Sequence, residues 1–383
     1  MIYLDNAASG RFKPQCVLNA VNYAMKHSAN PGRSGHKAAL ELALKVEECR
    51  ERLIALFGAE GAGVVFTKNC TEALNLAIFG SHKKGSHVIT TALEHNSVLR
   101  PLYYLASIGE IELTVLSPDK SGTVPPFAVS AAIKENTSQV VITHVSNVTG
   151  ATNDIRSIGK LLAGTKIKLI VDCAQSAGHA RIRFHDFNVD AICAPGHKGM
   201  YGPQGTGFII FREEMRLRPL LYGGTGTDSD NVFQPLSVPE GLESGTLNTP
   251  GILGLSEATA WVTENADMLR ATLASLTTAT LKGLSTMQGV ELYTRADEVS
   301  GVISFNLMSA GSSEVADYYS SRGIAVRSGL QCAPLVHANL GTLERGAVRV
   351  SPSYPNTIRD VERFLSVTED ALRILRRRGT LYE

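Results

Sequence analysis

The stretch IKLIVDCAQSAGH, residues 167–179, is the part of the chain that most clearly indicates its fold class. Its first five residues are almost continuously aliphatic, which is typical of a strand buried on both faces of a parallel sheet. Asp172 follows that strand, and ligands of open α/β sheets bind beyond the carboxyl ends of the strands. Asp172 is therefore a candidate ligand-binding carboxylate, although capping a helix start is the more common role of such a residue taken alone.

Strands of this kind alternate with helical segments through the middle of the chain. The apolar runs predict strands at residues 64–67, 87–91, 139–145 and 167–172, and helices at 71–79 and 96–106. This alternation predicts an α/β fold in which a mostly parallel central sheet is flanked by helices.

The C-terminal part of the chain has a pattern of its own. We place the end of a loop at Pro250-Gly251, followed by a long helical stretch over residues 252–284. The later segments predict strands at 301–307 and 346–351, and helices at 313–322 and 357–378. We assign residues 15–250 to a large domain, and residues 1–14 together with 251–383 to a smaller α/β domain.

The composition excludes several classes of protein. The chain has 383 residues and a formal net charge of +1, so no electrostatic footprint indicates a nucleic-acid or membrane partner. The N-terminal segment lacks the pattern of a signal peptide, and no run of about 18 uncharged apolar residues predicts a transmembrane helix. Six irregularly spaced cysteines predict no disulfide framework, and no cluster has metal-ligand spacing. We therefore expect a cytoplasmic protein without a metal site.

A lysine lies in a turn rich in glycine and proline. The stretch APGHKGMYGPQGTG, residues 194–207, carries Lys198 after a short apolar run. Glycine lets the backbone approach a ligand closely, and a lysine held there can form a Schiff base with a carbonyl. Upstream, residues 66–75 predict a strand, a polar loop and a helix, so that Thr71 and the first helix amides can hold a phosphate. A capping box explains this spacing nearly as well. A lysine, a carboxylate and such a helix start together indicate pyridoxal phosphate.

These segments resemble the class V, fold-type I pyridoxal-phosphate enzymes, and within them the cysteine desulfurase and selenocysteine lyase branch. The resemblance covers nearly the whole chain, from Tyr3 to Asn356. The pieces that carry it are GHKGMYGPQGTG (196–207), DCAQSAGH (172–179), LEHNSVLRP (93–101), HVSNVTG (144–150), ESGTLNTP (243–250) and RSGLQCAP (327–334). The resemblance therefore implies pyridoxal 5'-phosphate as the cofactor.

The resemblance implies a role for each matching position around the cofactor. Lys198 would form the imine with the cofactor and later move the α-proton, and Asp172 would pair with the pyridine nitrogen. The remaining cofactor contacts would come from His95 on the ring face, Gln175 and Asn147 near the ring hydroxyl, and Cys70, Thr71 and His197 at the phosphate. Thr246 matches a residue that reaches the phosphate of the neighbouring subunit, so the resemblance implies a homodimer.

The resemblance also implies how the substrate is bound and cleaved. Arg349 would clamp the substrate carboxylate, a bidentate role that suits arginine better than lysine. Asn30 and Arg33 would line the substrate pocket. Cys332 would attack the sulfur of L-cysteine, which yields L-alanine and a persulfide that is passed to an acceptor protein. Residues 327–337 predict neither helix nor strand, and a loop between glycine and proline suits an exposed nucleophilic thiol.

Three positions depart from the family pattern: Gln331, Pro195 and Cys70. Cys70 stands where a threonine is common, and a thiol is a weaker hydrogen-bond donor. Relatives with a short cysteine loop (group II), which this chain resembles in the 17 residues from Cys332 to Arg349, typically have histidine before the cysteine. Here that residue is Gln331, which cannot exchange protons near neutral pH. Pro195 stands where a serine or threonine usually binds phosphate, and it offers neither hydroxyl nor N–H. We expect slower persulfide formation or another proton source, and looser cofactor binding.

Three alternatives to a cysteine desulfurase remain open at this point. A selenocysteine lyase would use the same chemistry on selenium. A class V aminotransferase would not use Cys332 and would transfer the amino group to a 2-oxo acid. A sulfur-delivery or binding protein would have little turnover, and only Gln331 and Pro195 favour it.

Overall fold

Helices and strands alternate along most of the chain. The structure is a computed structural model that describes residues 1–32, 35–295, 297 and 299–381. In these residues the helices are α1 (Gln15–Lys26), α2 (Lys37–Phe57), α3 (Cys70–Ser81), α4 (Asn96–Ser107), α5 (Pro126–Ala132), α6 (Ile155–Leu162), α7 (Thr249–Ser285), α8 (Ser312–Ser321), α9 (Pro334–Leu340) and α10 (Ile358–Arg378). The strands are β1 (Ile2–Tyr3), β2 (Gly63–Thr67), β3 (Ser86–Thr91), β4 (Ile111–Leu116), β5 (Thr137–Thr143), β6 (Lys168–Asp172), β7 (Ala191–Pro195), β8 (Gly207–Phe211), β9 (Val290–Leu292), β10 (Ile303–Leu307), β11 (Ile324–Ala325) and β12 (Val348–Val350).

The central sheet has seven strands within the described residues, in the order β2-β8-β7-β6-β5-β3-β4. The neighbours from β7 to β4 are parallel, and β8 is antiparallel to both β7 and β2. This confirms the predicted α/β fold with a mostly parallel sheet. The direction of β8 was not predicted, because a continuous apolar run such as GFIIF is buried on both faces whichever way it runs. At the carboxyl end of β6, Asp172 lies in register with Thr143 on β5 and with Cys193 on β7.

A smaller antiparallel sheet, in the order β12-β10-β9, packs against α8 and α10. Phe305, Tyr319 and Phe364 lie at the centre of its core, with ring centroids 5.2–6.4 Å apart. The N-terminal strand β1 pairs in parallel with β11, and Leu4 is buried in the same core. The N-terminal segment therefore packs with the C-terminal part of the chain, while the exact domain boundaries stay a prediction.

The long helix α7 joins the two cores. Ile252 and Leu255 near its start are buried with the large core, whereas Leu281 and Leu284 near its end belong to the smaller one. The expectation that Pro250-Gly251 ends a loop is wrong, because both residues lie in the first turn of α7. Proline is tolerated there since the first helix amides have no intrahelical partner. None of the helices in the described residues is long and apolar enough to cross a membrane.

Candidate active site

The carboxyl end of β6 meets the start of α3. Asp172 is only 3% exposed, and its Oδ1 accepts hydrogen bonds from the amide of Ala174 at 2.8 Å and from the Cys70 thiol at 3.6 Å. Burial raises the pKa of the Asp172 carboxyl, while the Ala174 amide and the charge of Lys198 act in the opposite direction. Since Cys70 is the first residue of α3, the carboxylate lies beside a helix N-terminus.

Lys198 lies in the turn between β7 and β8, and that turn packs on the turn after β6. A Cβ on Gly178 would lie 2.0 Å from the carbonyl oxygen of Gly199, so only glycine permits this approach of the two backbones. Burial, and then the charge of Arg349, lower the pKa of the Lys198 ammonium from its usual 10.5, while Cys70 and Asp172 act to raise it. The close turns therefore place a half-buried lysine near the Asp172 carboxylate.

His95 is the N-cap residue of α4. Its Nδ1 accepts a hydrogen bond from the amide of Ser97 at 3.1 Å, which assigns the ring proton to Nε2 in the neutral form. Burial and the charge of Lys198 lower the pKa of His95 to about 4. The imidazole is therefore a neutral, flat ring beside the lysine at neutral pH.

Glu94, which sequence reasoning did not single out, anchors the turn that carries His95. Its side chain is fully buried, and Oε1 accepts hydrogen bonds from the Thr91 hydroxyl at 2.6 Å and from the Thr143 amide at 2.9 Å. Burial raises the pKa of Glu94 to about 8. The signal in the sequence was a single carboxylate after the apolar residues 92–93, a place where an ionised glutamate is costly.

Arg349 on β12 closes another side of the site. Its Nη1 donates to the carbonyl oxygen of Asn147 at 2.9 Å, and its Nη2 donates to Oδ1 of Asp5 at 3.1 Å. The side chain is buried, and its Nε has no hydrogen-bond partner among the described residues. Burial lowers the pKa of Arg349 and Asp5 counteracts it. Sequence reasoning also missed Asp5 as a partner of Arg349. The two residues are 344 positions apart, and the only signal for Asp5 was its place in a segment that resembles the family.

The loop with Cys332 is attached to both of these elements. The carbonyl oxygen of Cys332 accepts a hydrogen bond from the Asn96 amide at 2.7 Å, and Nδ2 of Asn147 donates to the carbonyl oxygen of Gln331 at 2.7 Å. The Cys332 side chain is exposed. The expectation of a segment without helix over residues 327–337 is wrong from Pro334 onward, because proline begins α9 there.

Two further predicted residues hold the N-terminal segment against the site. Gln175 donates from Nε2 to the carbonyl oxygen of Ala7 at 3.0 Å, and Nδ1 of His197 lies 3.1 Å from the hydroxyl of Ser9. Burial lowers the pKa of His197 to about 4. Their contacts with a cofactor stay a prediction.

The four remaining predicted residues differ in exposure, and one of them lies outside the described residues. Thr71 is exposed at the second position of α3. Thr246 is exposed and lines a cavity of about 130 Å³ that Lys68 also lines. Asn30 is half-buried, and its Oδ1 has no hydrogen-bond partner among the described residues. Arg33 lies outside the described residues.

The donor set fits pyridoxal phosphate. It combines a half-buried lysine, a buried carboxylate and a neutral aromatic ring with a helix start whose first amides have no intrahelical partner. A Cβ on Gly207 would lie 2.5 Å from the backbone carbonyl carbon of Asn69, so β8 packs directly on the turn before that helix. Lys198 would hold the cofactor covalently, with Asp172 at the ring nitrogen. Within the described ranges no group of three His, Cys, Asp or Glu side chains could hold a metal ion.

Comparison with known proteins agrees with this geometry. The profile of the aminotransferase class-V family matches residues 2–364. The chain belongs to the aminotransferase class-V family. This confirms the family that the sequence motifs resemble.

Several relatives of this class-V chain are named cysteine desulfurases. A probable cysteine desulfurase of Methanothermobacter thermautotrophicus is 32% identical over 370 residues, which are 94% of this chain and 92% of that protein. The apo structure of a cysteine desulfurase from Thermococcus onnurineus NA1 has a TM-score of 0.89 and 32% identity, over 97% of this chain and 94% of that one. The cysteine desulfurase CsdA of Escherichia coli, in an S-sulfonic acid form, has a TM-score of 0.87 and 26% identity over the same shares of both chains.

Proposed function

We propose that this chain is a pyridoxal-phosphate-dependent cysteine desulfurase, which converts L-cysteine to L-alanine and takes the sulfur onto Cys332. One observation carries the proposal: the exposed Cys332 thiol lies on a loop that is hydrogen-bonded to the residue after His95, and His95 lies beside the half-buried Lys198. The names of the relatives, at 26–32% identity over nearly the whole chain, support the same activity.

The residues around Lys198 provide binding and proton transfer. Bound pyridoxal phosphate would withdraw electrons from the α-carbon of the substrate. The buried Asp172 carboxylate would keep the ring nitrogen charged, and the neutral His95 would cover a ring face without adding charge. Because burial lowers the pKa of Lys198 from its usual 10.5, more of its amine is in the neutral form that would accept the α-proton of the substrate.

The substrate carboxylate is proposed to bind Arg349. Two of its nitrogens are already oriented by the carbonyl of Asn147 and by Asp5, which hold the guanidinium plane in place. The buried Nε has no hydrogen-bond partner in the described part of the chain, so its N–H and the second N–H of a terminal nitrogen can pair with the two carboxylate oxygens.

In the proposed reaction a sulfur atom moves from the thiol of the substrate to the thiol of Cys332. The Cys332 thiolate attacks the sulfur of L-cysteine, an S–S bond forms, and the Cβ–S bond of the substrate breaks. A proton replaces sulfur on Cβ, so L-alanine leaves and Cys332 carries the persulfide. A reductant or an acceptor thiol then removes the outer sulfur and restores the thiol. An acceptor protein with a reactive thiol is therefore part of the proposal.

Exposed apolar side chains support a homodimer. Val232, Phe233 and Leu236 are 93%, 79% and 92% exposed, in the segment that precedes Thr246. Contiguous exposure of this kind marks an interaction surface, and a second copy would bury it. A reducing compartment, the cytoplasm, is also part of the proposal, because the six cysteines of the chain are all free thiols.

The experiment is product analysis with L-cysteine, added pyridoxal phosphate and a reductant. We expect wild type to release alanine and sulfide, and Cys332→Ala to release neither. Cys16→Ala, which removes a half-buried thiol on α1, is the matched control and should behave like wild type. L-selenocysteine is assayed in parallel.

Each alternative function predicts a different outcome in these assays. Loss of activity with L-cysteine but retention with L-selenocysteine in Cys332→Ala indicates a selenocysteine lyase, because selenium leaves without the help of that thiol. Wild type that is inactive with both substrates but transfers an amino group to a 2-oxo acid indicates an aminotransferase. Wild type that is inactive in all three assays indicates a sulfur-delivery or binding protein.

A further inference from the structure

The residue before Cys332 points into the protein rather than toward solvent. Gln331 is 5% exposed, and both ends of its amide are bonded. Its Nε2 donates to the carbonyl oxygen of Ala347 at 2.9 Å, and its Oε1 lies 3.0 Å from Nε2 of His337. Gln331 thus joins the cysteine loop to the strand that carries Arg349 and to α9.

The direction of these hydrogen bonds is determined by one carbonyl group. Since the oxygen of Ala347 can only accept, the Gln331 amide places its NH2 there and its oxygen toward His337. His337 must therefore carry its proton on Nε2, which leaves Nδ1 to accept from the Thr342 hydroxyl at 2.8 Å. His337 is fully buried, and burial lowers its pKa, so the neutral tautomer suits this place.

The backbone beside this pair is in an unfavourable conformation. Gln331 and Cys332 have φ angles of +43° and +58°, although neither is glycine. Two consecutive non-glycine residues in the left-handed region persist only where surrounding contacts hold them. Two sets of contacts hold this loop. The side-chain amide of Gln331 is buried, and the backbone carbonyl oxygens of Gln331 and Cys332 accept hydrogen bonds from Asn147 and Asn96.

We propose that Gln331 and His337 are positioning residues that hold the strained loop so that the Cys332 thiol faces the substrate sulfur. The inference rests on the proposed function and names the residues that place its nucleophile. It also gives a structural role to the glutamine at position 331, where relatives with a short cysteine loop typically have histidine. Because both ends of the Gln331 amide are hydrogen-bonded inside the protein, residue 331 acts through the position of the loop rather than through proton transfer.

The test compares Gln331→Ala, His337→Leu and His337→Gln with Leu330→Ala. The amide nitrogen of a glutamine at position 337 can take the place of the imidazole Nε2–H, so this variant should restore the hydrogen bond that leucine cannot make. Leu330 is a half-buried neighbour in the same loop, and no hydrogen bond of its side chain is involved, so it is the matched control. All variants are studied as holoenzymes with their cofactor absorbance verified.

Three measurements separate a positioning role from general damage to the enzyme. In Gln331→Ala and His337→Leu we expect alanine formation to fall at least about tenfold, because misplacement of roughly 1 Å can cost about a hundredfold. The L-cysteine concentration that half-saturates the change in cofactor absorbance should stay unchanged, since binding precedes the thiol attack. Trypsin should cleave after the exposed Arg327 faster than in wild type, because the loop is released.

The outcomes distinguish this inference from the proposed function. Wild-type rates of alanine formation and of tryptic cleavage in Gln331→Ala would overturn the inference, even if Cys332→Ala is inactive. Equal losses in His337→Gln and His337→Leu would overturn the role of the Nε2–H donor. If wild type forms no alanine, the proposed function fails, while the proteolysis comparison still decides whether the pair holds the loop.

Discussion

Replacing Glu94 by glutamine removes a carboxyl group that the folded protein keeps protonated. The unfolded carboxyl ionises at its usual pKa of 4.5, whereas burial raises the pKa in the folded protein to about 8. Between these values the unfolded state has released a proton that the folded state retains. The free energy of unfolding of wild type therefore falls as pH rises from 4.5 to about 8, and the contribution is fully present below 4.5.

The size of the effect follows from the two pKa values. Between about pH 5.5 and about pH 8 the difference in free energy of unfolding between wild type and Glu94→Gln changes by about 3 kcal/mol, in favour of the variant at the higher pH. Glutamine keeps an oxygen that can accept from the Thr91 hydroxyl and the Thr143 amide, so the packing and hydrogen bonds of the folded state are preserved.

Urea denaturation at the two pH values, at one protein concentration and with added cofactor, measures this difference. Glu41→Gln is the matched control, because Glu41 is an exposed carboxylate on α2. Parallel pH dependence of wild type and Glu94→Gln would refute the reasoning, since it would mean that Glu94 ionises alike in the folded and unfolded protein. The functional meaning is that at neutral pH Glu94 adds no negative charge beside Asp172.

Two other substitutions test the packing around the site. Glu243→Ala removes the carboxylate that accepts hydrogen bonds from both terminal nitrogens of the buried Arg50, at 2.9 and 2.7 Å. We expect a loss of about 3–5 kcal/mol in the free energy of unfolding, because an unpaired charge stays buried; a loss no larger than that of Glu41→Gln in urea denaturation would contradict this. Gly207→Ala would force a Cβ to within 2.5 Å of the backbone before α3. We expect pyridoxal-phosphate affinity to fall about tenfold in a spectroscopic titration, and an unchanged dissociation constant would show that this backbone contact does not shape the cofactor site.

Local patterns in the sequence predicted those strands and helices whose own residues carry a clear hydrophobic period or a capping residue. The strands around residues 64–67 and 167–172 and the long helix were found within a few residues of their observed ends. The predicted helix over residues 357–378 corresponds to α10, which begins at Ile358 with a capping box. Such elements are predictable because hydrophobic period and capping residues lie within one stretch of chain.

Prediction was wrong where a proline was assigned to a loop rather than to the first turn of a helix. Pro250 and Pro334 both lie in the first turn of a helix, where a missing amide hydrogen costs nothing. The same residue type breaks a helix interior, so only the course of the following backbone decides between the two.

The fold class, the family and the candidates Lys198, Asp172 and Cys332 could be inferred from the sequence alone, because chain order and residue type carry that information. Which groups are neutral and which side chains pair became apparent from the folded chain. Examples are the protonated Glu94, the bond of Asp5 to Arg349, and the inward-facing amide of Gln331. The physical reason is that desolvation and hydrogen bonding depend on neighbours from distant parts of the chain, and no local pattern records them.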